Sequence, residues 1–414
     1  MAPLDPLRPE DAASQRWLSI VGIGEDGIDG LSPVAQDLIS AADIVFGGKR
    51  HLALAGRLVR GAVCPWPSPF DRAVAEVVAQ RGRQVCVLAS GDPFLYGVGP
   101  LLAGHIDPQE IVVVPAASSF SLAAARLGWA LADTALVSLH GRSLELIRPY
   151  LQPGARILAL TADESGPSTL ARLLTEAGFG PSRLTVLEAL GGPREKLRPA
   201  RADQFALTSI DPLNLVALEV EATPGARILA RTSGLADALF EHDGQITKRE
   251  IRAITLSSLA PQRGQLLWDI GAGSGSVAIE WLLTDAAMRA IAIERHPGRA
   301  ARVRRNAAAF GVPHLQTVEG EAPEALNSLP VPDAIFIGGG ARSALIDRAV
   351  AALRSGGRLV INAVTLETEA LLAARHLAEG GELTRIALMR ADKVGGKAAW
   401  RPAMPVTQWV WSKP

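Results

Sequence analysis

The sequence predicts an α/β protein in two parts, an N-terminal part of two lobes and a C-terminal doubly wound, Rossmann-like part. Three observations carry that expectation. Short apolar runs alternate with helical patterns along the chain, as strands and helices packed in layers require. At 414 residues the chain exceeds what one hydrophobic core organises. The stretch Glu221–Gly234, with Pro224, Gly225 and Gly234, then breaks the alternation and reads as a linker.

The elements follow in order. Met1–Gln15 is polar, carries three prolines and lacks the apolar run of a signal peptide, so residues 1–16 are expected as a flexible tail. Strands are expected at Leu18–Val21, Ile44–Phe46, Val85–Leu88, Ile111–Val114, Leu136–Leu139, Ile157–Leu160, Leu184–Leu187 and Leu215–Val220. Helical patterns at Pro33–Ser40, Asp71–Gln80, Ser119–Leu127 and Ser168–Ala177 separate many of them. So many strands exceed one small sheet, which splits residues 17–221 into two lobes with a hinge near Leu139–Leu151. Residues 222–239 form the linker, and residues 240–414 the second part.

Composition narrows the function. Hydrophobic content of 48% with 20% charged residues is globular, and no apolar stretch is long enough to cross a bilayer. A net charge of zero gives no whole-protein attraction to nucleic acid. Two cysteines, Cys64 and Cys86, argue against a disulfide framework or structural zinc and fit a reducing cytoplasm. Cys86 lies in the apolar run Val85–Leu88 and is expected in the core.

The most informative segment is Leu266–Ser276. A buried strand ends in Asp269, a turn carries Gly271, Gly273 and Gly275, and a helix follows through Val277–Leu283. Glycines there let backbone N–H groups approach a ligand, because no Cβ intervenes. A dinucleotide fingerprint needs a third glycine where Ser276 stands, and Asp269 would repel a pyrophosphate while attracting an ammonium. That combination suits S-adenosylmethionine. Glu294, ending the next strand Arg289–Ile293, is placed to accept from both ribose hydroxyls. Gly320-Glu321-Ala322, after Gln316–Val318, would deliver a loop to the adenine, and Asp333–Gly340 gives a fourth strand opening into glycines at Gly338.

The first part carries three motifs. Val21-Gly22-Ile23-Gly24-Glu25 ends the first strand in a glycine turn, and Gly91-Asp92-Pro93 follows another strand as a turn with a built-in carboxylate. Ser118-Ser119-Phe120 opens a helix, where the serines could cap it or bind a ligand. Each alone is as well explained by structure as by function.

Together, in this order, they resemble the tetrapyrrole (uroporphyrin-III C/corrin) methylases over about Trp17–Glu221. The second part resembles the decarboxylating precorrin methyltransferases, and Gly244–Arg252 matches their entry motif. The resemblance implies S-adenosylmethionine at two sites per chain, and precorrin-6Y as the tetrapyrrole partner. It implies methylation at carbon 5 by the first part. It assigns carbon 15 and loss of the carbon-12 acetate carboxylate to the second, giving precorrin-8 in aerobic cobalamin biosynthesis. It further implies a homo-oligomer. Carried over position by position, Gly24, Gly91, Asp92, Leu95, Ser119, Phe120 and Ala162 would line one donor. Thr247, Gly271, Gly275, Glu294 and Ala322 would line the other, with Asp269, Gly273, Ser276, Gly320, Glu321 and Gly338 around them.

A macrocycle rich in carboxylates calls for cations. Lys248, Arg249 and Arg252 are the expected ones, with Lys248 and Arg252 sharing a helix face. Arg342, Lys393 and Lys397 are secondary, and His242 is a candidate proton donor. No nucleophile triad or metal cluster is evident. Three other readings stay open: a nicotinamide oxidoreductase, a nucleic-acid methyltransferase, and a methyltransferase in which one half only binds substrate.

Overall fold

The computed structural model describes residues 16–414, and the expected tail Met1–Gln15 lies outside them. The chain forms two compact units. One holds the chain up to Arg142 with Gln152–Ala226, and the other holds Ser143–Leu151 with Arg227–Pro414.

The first unit contains two five-stranded sheets. Strands β1 (Leu18–Ile23), β2 (Ile44–Gly47), β3 (Ala62–Pro65), β4 (Val85–Ser90) and β5 (Ile111–Val114) run in the order β3-β2-β4-β1-β5, all parallel. Every residue of β1 is buried, as a central strand covered on both faces must be. Cys86 is fully buried in this core, and burial pushes its thiol up to about 12. The second sheet comprises β6 (Thr134–Ser138), β7 (Arg156–Leu160), β8 (Arg183–Glu188), β9 (Lys196–Arg201) and β10 (Asn214–Glu219) in the order β6-β7-β10-β8-β9. Only its β6–β7 pair is parallel.

One expectation is corrected here, and two strands are added. The hinge does not lie near Leu139–Leu151, because β6 already pairs with β7 in the second sheet. The chain crosses between lobes earlier, after β5, through the stretch holding the helix Ser119–Leu127. An apolar run shows that a strand exists, not which sheet it joins. Edge strands β3 and β9 escaped the sequence reading, since they are mostly exposed and β9 carries Pro199 and three basic residues. Such chemistry protects a sheet edge from further pairing and hides its hydrophobic signal.

The second unit is doubly wound. Strands β11 (Leu266–Ile270), β12 (Arg289–Glu294), β13 (Gln316–Glu319), β14 (Ala334–Ile337) and β15 (Arg358–Ala363) are parallel. Beyond them come β16 (Glu382–Ile386), the hairpin β17 (Met389–Val394) and β18 (Lys397–Pro402), and β19 (Val406–Ser412). The sheet order is β13-β12-β11-β14-β15-β19-β16, with β19 antiparallel to both neighbours. Alternation along β11 sends Leu267 into one core with Trp281 and Phe310, and Leu266, Trp268 and Ile270 into the other with Ile346 and Trp409. Strand order reverses at β11, so a crevice opens at its C-terminal end between β12 and β14. The expected linker packs onto this unit after Ala226: Leu229 and Leu235 are buried, and the Arg227 guanidinium lies 4.7 Å over Phe310.

Candidate functional site

In the first unit the loops after β1, β4 and β5 meet residues at the ends of β6, β7 and β8 and at the start of β10 around a cavity of about 650 Å³. That falls in the size range of small-molecule sites, roughly 300–1,000 Å³. The loops knit to one another through the backbone. The Gly91 N–H donates to Ile23 O (3.2 Å), and Ala116 N–H donates to Gly91 O (3.1 Å). A Cβ on Gly22 would lie 1.9 Å from Gly91 O and 2.6 Å from Ala116 N, so only glycine permits this approach. Gly24, Gly91, Leu95, Ser119 and Phe120 all line the cavity. Asp92 and Ala162 are not among its lining residues. Asp92 Oδ1 accepts from Phe94 N–H (2.8 Å) and shapes the turn, while Thr161, beside Ala162, faces the space. Ser118 is a plain helix cap, accepting from Ser121 N–H (3.1 Å).

The sequence reading missed the polar end of this cavity. Arg50 pairs with Glu25 and donates through Nη2 to His51 Nε2 (2.8 Å) and Ser90 Oγ (2.7 Å). Burial, with the Arg50 charge added, lowers the His51 pKa to about 4, so its imidazole stays neutral. His140 and Arg142 line the second-lobe side. The signal available was the basic run Lys49-Arg50-His51 just after β2, but only the fold shows that it faces a cavity.

In the second unit the turn after β11 is built as its glycines require. Gly271, Gly273 and Gly275 have φ of +74°, +60° and +75°, and a Cβ on Gly275 would meet Val303 Cγ1 at 2.8 Å. Gly273 N–H donates to Glu294 Oε2 (2.9 Å), and His296 N–H donates to Glu294 Oε1 (3.0 Å). Glu294 is thus a buried carboxylate fixed at the strand end, with acceptor capacity left on each oxygen for a hydroxyl. Asp269 departs from expectation. It is buried and accepts from Ala278 N–H (3.1 Å), satisfying an orphan donor in the first turn of helix Ser276–Leu282. Burial raises its pKa to about 7, and the nearby Glu294 charge adds to the rise. Asp269 therefore shapes the turn from within. Ser276, also buried, starts the helix. The loop after β13 is tied in by Gly320 N–H donating to Glu294 O (3.1 Å), with Ala322 packed in the core and Glu321 exposed. Gly338 N–H donates to Ile270 O (3.3 Å), and Gly339 O lies 3.6 Å from where a Gly271 Cβ would be, so the Gly338–Gly340 run borders the turn.

Comparison with known proteins fits both halves. Residues 18–206 match the tetrapyrrole (corrin/porphyrin) methylase family, and residues 238–413 match the precorrin methyltransferase domain. The chain is 58% identical over 410 residues to the precorrin-6Y C(5,15)-methyltransferase (decarboxylating) of a Sinorhizobium species, covering 99% of each. The chain belongs to that family. It is thereby an S-adenosylmethionine-dependent methyltransferase. Two shorter relatives are also similar. One is the cobalt-precorrin-7 C(5)-methyltransferase of Salmonella typhimurium, 30% identical over 44% of this chain and 88% of that protein. The other, from Saccharolobus solfataricus, is named a probable cobalt-precorrin-6B C(15)-methyltransferase (decarboxylating), 40% identical over 33% of this chain and 71% of that protein.

For a member of this family the expected cations need re-sorting. Arg252 is fully buried and cannot reach a substrate. Its Nε donates to Glu280 Oε1 (2.6 Å), Nη1 to Asp237 Oδ1 (3.1 Å) and Thr247 O (2.5 Å), and Nη2 to Leu235 O. Its guanidinium also stacks 4.8 Å over Phe240. Lys248 is the N-cap, with ψ at 150°, so helical spacing begins only at Arg249. Lys248 and Arg249 are exposed at that helix start. Arg342 pairs with Glu321 (3.0 Å), Lys393 and Lys397 sit on the exposed β17–β18 hairpin, and His242 is exposed with Nδ1 accepting from Gly244 N–H (3.1 Å). Among the described residues no cluster of His, Cys, Asp and Glu could hold a metal, and no helix is long and apolar enough to cross a membrane.

Proposed function

We propose that the chain methylates precorrin-6Y twice, at carbon 5 in the first unit and at carbon 15 in the second. The second unit also removes the carboxylate of the carbon-12 acetate, and the product is precorrin-8 of aerobic cobalamin biosynthesis. The observation that carries this reading is that the two units have different folds, each with glycine loops at the C-terminal ends of its parallel strands. The two shorter relatives support the division, since each is named for methylation at one carbon, the second with decarboxylation, and each matches less than half of the chain. The reading includes two donor sites, a homo-oligomer and a cytoplasmic location.

S-adenosylmethionine supplies an electrophilic methyl on a sulfonium. The residues of the chain bind, orient and shield. In the first unit Gly24, Gly91, Leu95, Ser119 and Phe120 would hold the donor against loops that lack Cβ atoms. In the second, Glu294 would take the ribose, the loop after β13 the adenine, and the turn Gly271–Gly275 the aminoacyl end. Exposed Lys248 and Arg249 would meet substrate carboxylates. The electron-rich macrocycle brings its own nucleophilic carbon, so positioning is the main lever, worth about 7–11 kcal/mol when reacting atoms are held in near-attack geometry. For decarboxylation the conjugated ring accepts the C–C electron pair as carbon dioxide leaves, a proton from solvent then completes the methyl group on carbon 12, and the protein's task is to hold the acetate out of the ring plane.

Calorimetric titration of the full chain with S-adenosylhomocysteine tests the reading. A stoichiometry of two per chain is expected. One per chain would reduce one unit to a substrate-binding platform and overturn the proposal.

A further inference from the structure

Transfer of a methyl group from a sulfonium to a neutral ring carbon leaves a neutral thioether. The C–S pair stays on sulfur and the new C–C bond uses a ring pair, so the methylated ring carries the positive charge until one proton leaves it. This deduction rests on the carbon-5 reading of the first unit. A basic group on the cavity wall is placed to take that proton and pass it outward.

Two imidazoles line the cavity, and their surroundings differ. A guanidinium only donates, so the contact of Arg50 Nη2 with His51 Nε2 at 2.8 Å occupies that nitrogen's lone pair. Burial and the Arg50 charge hold His51 neutral. His51 is thus a poor base, occupied in orienting Arg50 and Ser90.

His140 is arranged the other way. It follows β6, where Leu139 N–H donates to Leu160 O (2.9 Å) and extends the parallel β6–β7 ladder. This places the His140 ring beside the end of β7, with Nδ1 3.3 Å from Thr161 O. A carbonyl only accepts, so Nδ1 carries the hydrogen and Nε2 keeps its lone pair. Thr161 is itself held by donating to Asn214 Oδ1. We propose that His140 is the catalytic base of the first unit, its Nε2 accepting the proton that leaves the macrocycle on methylation and releasing it to solvent. The C–H electron pair returns to the conjugated ring as the proton goes to nitrogen. The charged neighbours are Asp163 beyond β7, Arg142 on the same loop, and the Arg50–Glu25 pair across the cavity. Asp163, kept ionised chiefly by the Ser165 hydroxyl and N–H and slightly by His140, would favour the imidazolium formed in the step.

The test uses the full chain and three readouts. Nitrogen-15 NMR of the free protein should show the His140 ring protonated at Nδ1, and a neutral ring protonated at Nε2 would overturn the proposal. His140→Gln and His140→Ala should keep donor affinity while carbon-5 methylation falls ~10²–10⁴-fold, the usual worth of a general base. The acidic limb of its pH profile should vanish, and added imidazole should restore rate to His140→Ala only. Wild-type rate and profile in both variants would overturn the role of His140. Leu95→Trp, which fills the cavity, separates that result from failure of the underlying reading. If Leu95→Trp still methylates carbon 5, the site is elsewhere; if it does not and His140→Ala does, the site stands and the base is wrong.

Discussion

Replacing Arg252 by Met should unfold the second unit far more readily and leave substrate recognition by any folded fraction intact. Arg252 is fully buried and makes a 2.6 Å bond to Glu280, itself 3% exposed. Removing one partner leaves the other charge buried, which costs about 3–5 kcal/mol. Two features temper this. Glu280 also accepts from Gly234 N–H (2.7 Å) and Leu235 N–H (2.9 Å), so it is not left bare. The pair with Asp237 is a quarter exposed on the carboxylate side, and solvent screening makes it a small contributor. Against this, Leu235 O and Thr247 O lose donors as well, which keeps the loss within that range. For a unit of this size each kcal/mol moves Tm by about 2–4 °C, so a fall of roughly 6–20 °C is expected. Differential scanning calorimetry of the full chain reads it. A double variant, Arg252→Met with Glu280→Leu, removes both charges and should recover much of the loss. The reasoning is refuted if Arg252→Met melts like the wild type while KM for the macrocycle rises, for then this guanidinium would serve substrate after all.

Two further outcomes follow from the second unit. Glu294→Ala removes the anchor of Gly273 N–H and the expected acceptor of two ribose hydroxyls, each charge-assisted bond being worth roughly 1.5–3 kcal/mol; with water filling the gap and offsetting part of that, donor affinity there should fall ~10–10³-fold. Mass spectrometry should then show one added methyl and a retained acetate, and full dimethylation would show Glu294 to be bystander chemistry. Asp269, with its folded pKa raised to about 7, contributes stability that is present at low pH and lost as pH rises from about 4 towards 7. Asp269→Asn should flatten that part of the Tm-against-pH curve for the second unit, and an unchanged slope would assign it to other groups.

Most of the fold was legible because buried parallel strands announce themselves. Leu18–Ile23, Val85–Ser90 and Leu266–Ile270 are apolar runs that end in glycine turns, and both features survive without tertiary context. What stayed hidden depends on pairing or on distance through space. The partner of β6 is decided across the Ser143–Leu151 excursion, and the edge strands β3 and β9 look like loops because they face solvent. In the site, glycines were easier to read than charges. A glycine at positive φ serves the backbone alone, while Arg252 has the same residue type and spacing whether it faces substrate or Glu280. His51 and His140 follow strands of different sheets, and nothing local marks either as lining the same cavity.

The contact at Gly22 bears on how this site can be changed. Three loops from different parts of the chain meet there backbone to backbone, leaving no side chain between them to absorb a shift. Variation in one loop is transmitted to the other two, so the unit of exchange between relatives is the set and not the single loop. A library that randomises around Gly91 alone samples mostly broken sites. Transplanting the loops after β1, β4 and β5 as one block keeps their mutual spacing, and with it the cavity wall that the three loops form together.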